Sequence, residues 1–168
     1  MSRPSWVLII VGSALVLTAI GAGIAFLPRS ATESVALPED LAGLPRLEAK
    51  LGEAAADEVR RLHGDSFSYT SAGYARYGSR GEATLWVLEA ASDGRAQDLV
   101  EAMTSAIAQG DSPFAPLPQE SIDGRTVYPL IGMGQEHMYF RAGRLVVWLA
   151  VNREVAEEAR RAILETYR

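Results

Sequence analysis

From Trp6 to Leu27 the chain reads WVLIIVGSALVLTAIGAGIAFL, 22 consecutive residues without a charge. At 1.5 Å per helical residue this run spans about 33 Å, close to the hydrocarbon thickness of about 30 Å, and it predicts a single transmembrane helix over residues 6–27 with membrane lipid as its partner. A cleaved signal is the competing reading, but its apolar stretch holds only about 7–15 residues. The small-residue triplet Ser34-Val35-Ala36 also stands well beyond Leu27 for a cleavage site. Arg3 and the amino terminus precede the run and Arg29 follows it. This slight bias places residues 1–5 in the cytoplasm and the body outside, a single-pass protein of the cell membrane with an extracytoplasmic carboxyl-terminal domain.

The 141 residues after Leu27 fit one domain and exclude two large ones. A formal net charge of −5, with no basic arm to offset it, argues against nucleic acid as a partner. The absence of cysteine excludes disulfides, thiolate metal sites, a cysteine nucleophile and a lipid-bearing cysteine.

Residues 28–44, PRSATESVALPEDLAGL, mix proline, serine and acidic residues without a period and read as a linker. The folded domain is expected over 45–168. Leu47, Ala49 and Leu51 alternate with Glu48 and Lys50 as in a strand with one covered face. Glu53 to His63 has helical composition and stops at Gly64; Ser92 caps a second helix running to Gln109, with Ala96, Leu99, Val100, Met103 and Ile107 recurring at helical steps. Tyr69–Tyr77 and Glu82–Ala90 read as a hairpin, and Asp123-Gly124 is a two-residue turn into a strand over Arg125–Ile131. Glu136–Arg141 and Arg144–Val151 are further strands, followed by a last helix capped by Asn152. The order β-α-β-β-α-β-β-β-β-α predicts an α+β domain, an antiparallel sheet covered on one face by two or three helices.

At LHGDSF (62–67), ATLWV (83–87), DGRTVY (123–128) and GMGQEHMYFRAGRLVVWLA (132–150) the chain resembles a family of small prokaryotic membrane-tethered or secreted α+β domains of unknown function. The resemblance extends from about Leu37 to the end. It implies the same element order and an extracytoplasmic setting, and it carries no catalytic or ligand residue with it.

Gly132-Met133-Gly134-Gln135-Glu136-His137 is the segment in which chemistry is best placed. Two glycines bring backbone close, Gln135, Glu136 and His137 offer hydrogen bonds or proton transfer, and alternation puts His137, Tyr139 and Arg141 on one strand face, with Arg141 suited to a carboxylate or anion. The candidate ligand-binding set is therefore Gln135, Glu136, His137, Tyr139 and Arg141. Against it stands a bulged strand start with solvated polar residues, the commoner use of glycine in a strand. The segment lacks the third glycine of a dinucleotide fingerprint and the lysine of a phosphate loop, so no cofactor is expected. His63 and His137 have no ligand spacing between them, and no metal is expected. There is no Gly-x-Ser-x-Gly elbow, and Asp57, Glu58, Glu154, Glu157 and Glu158 lie on polar helix sides beside Arg60, Arg61, Arg160 and Arg161.

Without a complete catalytic constellation, the chain reads as a membrane-anchored protein presenting a small non-catalytic interaction or ligand-binding domain. The alternatives are an enzyme-associated domain with a site around His137 and an accessory subunit of a larger membrane complex. Concavity at His137, with a carboxylate or arginine converging on it, separates the enzyme reading from the first.

Overall fold

The computed structural model describes residues 35–63, 68–110 and 112–168. In chain order the elements are β1 (Asp40–Leu41), β2 (Leu44–Leu51), α1 (Glu53–His63), β3 (Ser71–Tyr77), β4 (Ala83–Glu89), α2 (Asp93–Gln109), β5 (Ala115–Pro116), β6 (Glu120–Ile122), β7 (Arg125–Gly132), β8 (Gln135–Ala142), β9 (Leu145–Val151), a 3-10 turn (Arg153–Val155) and α3 (Ala156–Thr166). All strands join one open antiparallel sheet in the order β1-β2-β3-β4-β9-β8-β7-β5, with β6 also on β7.

This corrects the expected α+β layering in which helices cover one face of the sheet. The body is sheet-dominated and its three short helices divide between the two faces. The Ala159 and Ile163 side of α3 packs on Leu85, Val87, Met138, Phe140, Val147 and Leu149. On the opposite face α1 packs on β2 and β3 and α2 on β8 and β9, in one cluster with Ala72, Tyr74, Leu88, Tyr139 and Val146. The physical reason is visible in the central strands. Leu85-Trp86-Val87-Leu88 and Val146-Val147-Trp148-Leu149 are apolar at every position, as strands flanked on both faces must be, whereas one-sided cover leaves strict alternation.

The expected transmembrane helix over 6–27 lies outside the described residues. Among the described residues no helix is long and apolar enough to cross a membrane.

Residues 35–44, read from sequence as part of a linker, belong to the fold. Val35 and Leu41 are buried in the α3-side core. The Tyr167 hydroxyl donates to the Ala36 carbonyl at 2.7 Å, the Tyr77 hydroxyl to that of Pro38 at 3.0 Å, and Arg46 to that of Leu37 at 2.7 Å. Burial pushes the Tyr77 hydroxyl up to about 12. Gly73 makes room for this segment: a Cβ there would stand 3.1 Å from Val35 and 3.2 Å from Leu37. Aperiodic polar composition marked the stretch as a tether because its ties are backbone carbonyls met by distant side chains.

Strand β2 is inverted relative to its apolar pattern. Leu47, Ala49 and Leu51 are exposed, and Arg46, Glu48 and Lys50 are half-buried. Lys50 pairs with Glu58 on α1 and lies over the Tyr74 ring, and Glu48 pairs with Arg76. The long stems cover apolar surface while their charges find partners, which reverses the usual inside and outside.

Candidate functional site

The β7–β8 connection is a tight hairpin whose two turn residues, Met133 and Gly134, both have positive φ (52° and 80°). This is the primed geometry that matches strand twist, and it replaces the bulged strand start expected from the two glycines. Gly132 serves a different purpose. A Cβ at that position would meet Phe114 at 2.6 Å and the Pro113 carbonyl at 2.8 Å, so its bareness lets the proline-rich loop close over the strand end.

That loop seals His137. The imidazole is buried, with its centroid 4.7 Å from the Phe114 ring and 5.9 Å from that of Trp148. The Trp148 indole N–H reaches His137 Nδ1 at 3.3 Å, and His137 Nε2 is 3.1 Å from the Gly132 carbonyl. An indole nitrogen only donates, so Nδ1 accepts and the proton resides on Nε2, which donates to Gly132. Burial lowers the His137 pKa, opposed in part by the Gly132 bond. The ring is held neutral in one tautomer, with neither nitrogen free.

The other candidate residues disperse. Tyr139 shares His137's face, as expected, but is buried within the sheet. Its hydroxyl lies 2.8 Å from Thr104 Oγ1, and because Thr104 donates its own proton to the Val100 carbonyl, Tyr139 is the donor. Burial raises the Tyr139 pKa. Arg141, at the far end of the strand, donates to the Gly143 carbonyl at 3.0 Å and stands 4.0 Å from Asp93 at the start of α2. Gln135 donates to Asn152 Oδ1 at 3.0 Å, which occupies the side chain expected to cap the last helix. Glu136 pairs with Arg153 at 3.3 Å.

Beside this strand end lie two clefts, of about 530 and 400 Å³. The larger runs along α3 past Arg160 and Leu164, the smaller passes Pro113, Ile131 and Gly134, and both are lined by Glu136 and Arg153. His137 lines neither. Among the described residues no three or more His, Asp or Glu side chains gather as metal ligands.

What the sequence reading missed is a row of rings crossing the sheet. Tyr74, Trp86, Trp148, Tyr139 and Tyr128 are direct cross-strand partners on consecutive strands. Trp148 and Tyr139 stack at 5.3 Å and 7°, and Tyr139 and Tyr128 at 4.7 Å and 6°. Trp86 meets Tyr74 edge-on at 5.7 Å. The Trp86 indole N–H is buried without an acceptor among the described residues. Phe114, in the proline-rich loop after α2, is half-buried against His137 and Trp148.

No family model, curated protein or solved structure matches the chain. The resemblance seen in the sequence is therefore carried no further.

Proposed function

We propose that this chain is a non-catalytic interaction protein whose domain binds a protein or small ligand at the cleft joined by Glu136 and Arg153. The observation that carries the reading is the sealed imidazole. A general base or nucleophile must reach its substrate with a free lone pair, and both nitrogens of His137 are engaged inside the aromatic cluster. No carboxylate or arginine converges on the ring among the described residues. The cleft offers a salt-bridged pair with exposed Ile131 and Met133 close by, the polar and apolar mixture of a recognition surface. The setting is proposed from the sequence alone: the apolar run 6–27 holds the chain in the cell membrane as a single pass, with the domain on the extracytoplasmic side.

Site-specific photo-crosslinking in native membranes tests the binding surface. A photoreactive residue at Met133 of the full-length chain is expected to give one discrete adduct, weakened by Arg153→Glu, while the same residue at Glu101 on α2 gives none. Equal labelling at both positions, or none at Met133, would refute the cleft. Turnover of any substrate that disappears in His137→Gln at an unchanged melting temperature would restore the enzyme reading. Detergent, but not carbonate, is expected to release the full-length chain from membranes; a soluble form lacking its first 36 residues would overturn the anchor.

A further inference from the structure

At the opposite end of the sheet from the cleft, the outer edge of β2 from Leu47 to Leu51 has no strand beside it among the described residues. β1 pairs only with Leu44 and Pro45. The direction of the backbone groups there follows from one bond. Gly52 N–H donates to the Ala72 carbonyl at 3.0 Å, while Leu51 lies opposite Gly73. In an antiparallel ladder this makes Leu51 and Gly73 a non-hydrogen-bonded pair, so the N–H and C=O of Leu51 point away from β3, and so do those of Ala49 opposite Ala75. The side chains on the same stretch are unusual for an edge. Leu47 is 57% exposed and Leu51 44% exposed, with exposed Ala49 between them, where edge strands ordinarily carry outward charges.

We infer that this edge pairs with the same edge of a second copy, antiparallel, about a two-fold axis at Ala49. The segment Leu47-Glu48-Ala49-Lys50-Leu51 is complementary to its own reverse. With Ala49 facing Ala49 of the second copy, Glu48 faces Lys50 and each Ala49 N–H meets the other's carbonyl, and Leu47, at the bulge between Arg46 and Glu48, lies toward Leu51. The outward direction of the Ala49 groups is what a two-fold axis at a hydrogen-bonded pair requires. Moving the axis to Glu48 or to Lys50 sets like charges opposite each other, so charge selects this register. A homodimer formed by one self-complementary patch is the commonest closed assembly, and the surface is separate from the cleft, so either proposal stands without the other.

The chain has no cysteine, which makes one introduced thiol unambiguous. In full-length Ala49→Cys the two Cα atoms across the axis would be about 5.5 Å apart, within the span of a disulfide. Mild oxidation is expected to give a covalent dimer rapidly, whereas Thr126→Cys, at an exposed residue of β7, stays monomeric. Sedimentation of cysteine-free protein is expected to show a dimer. Glu48→Lys and Lys50→Glu are each expected to weaken self-association by about tenfold, two like-charge contacts of up to about 1 kcal/mol each being created, and the double exchange restores it. Three results would overturn the inference: a monomer in sedimentation with Ala49→Cys oxidising no faster than the Thr126 control, a double exchange that fails to restore association while circular dichroism stays native, or an Ala49→Cys adduct formed with a different protein.

Discussion

Replacing Arg125 by methionine tests how the last helix is held to the sheet. α3 carries no basic residue in its last turn, so its final carbonyls lack a local cation. Arg125, at the start of β7, supplies one from a distance: Nη2 donates to the Leu164 carbonyl at 2.9 Å and Nη1 to that of Tyr167, and the guanidinium lies 5.5 Å from the centre of the Phe140 ring. Its side chain is only 16% exposed. A hydrogen bond to a charged group contributes about 1.5–3 kcal/mol, and at a helix end that water can reach after the change the lower figure applies to each of the two, giving about 3 kcal/mol in all. Methionine keeps most of the contact with Phe140, so the loss falls on the carbonyls. For a body of about 130 residues this is a fall of about 10 °C in melting temperature. Far-UV circular dichroism of the full-length chain measures it, with a urea titration in parallel whose slope should not change. Arg125→Lys keeps the charge but cannot fork to both carbonyls, and is expected to recover about half of the loss. A shift smaller than about 2 °C for Arg125→Met would refute the reasoning, because the carbonyls would then be served as well by water.

Trp148→Phe and Trp86→Phe remove equal ring area but differ in hydrogen bonding. The first strands the His137 acceptor, at a cost of about 1–3 kcal/mol, while the second deletes a donor that has no partner among the described residues, so the urea midpoint should fall further for Trp148→Phe; equal losses would remove the assigned bond. His137 has a lowered pKa in the fold, so the unfolded chain takes up a proton first. Stability is then full above about pH 6.5 and declines as pH falls toward the folded value, by at most about 1.4 kcal/mol per pH unit. His137→Gln should flatten that decline below about pH 6.5, and an unchanged slope would exclude the linkage. Val147→Asp places an unpaired charge in the core between β4 and β8 and should abolish the folding transition; a native melting temperature would mean that β9 is not central.

The strands and helices were largely legible because local signals set them. Ser92 accepts from the Arg95 N–H at 3.2 Å as a helix cap, Gly110 closes α2 with φ 81°, and Asp123-Gly124 turns with φ 51° and 76°. Alternation along β8 also placed His137 and Tyr139 on one face. The sealing of His137 was not legible, because it depends on Phe114 arriving from a loop and on Trp148 arriving from the next strand. Only the Tyr128–Tyr139 part of the aromatic row was within reach, because the strands read at Arg125–Ile131 and Glu136–Arg141 bring these two opposite each other; a turn read at Ala142-Gly143 sets Val146 opposite Tyr139, whereas the turn lies one residue later, at Gly143-Arg144, and brings Trp148 there. Its continuation to Trp86 and Tyr74 was not, since β9 and β4 are far apart in the chain.

Turn chemistry, caps and periodicity are interactions between residues a few positions apart, and these the chain's order determined unaided. Which face each helix covers, the inversion of β2, the docking of Val35–Pro38 and the partners of Arg125 were decided only by the folded sheet. They are contacts between segments whose separation no local pattern records, formed where buried carbonyls and charged stems had to find partners across the core.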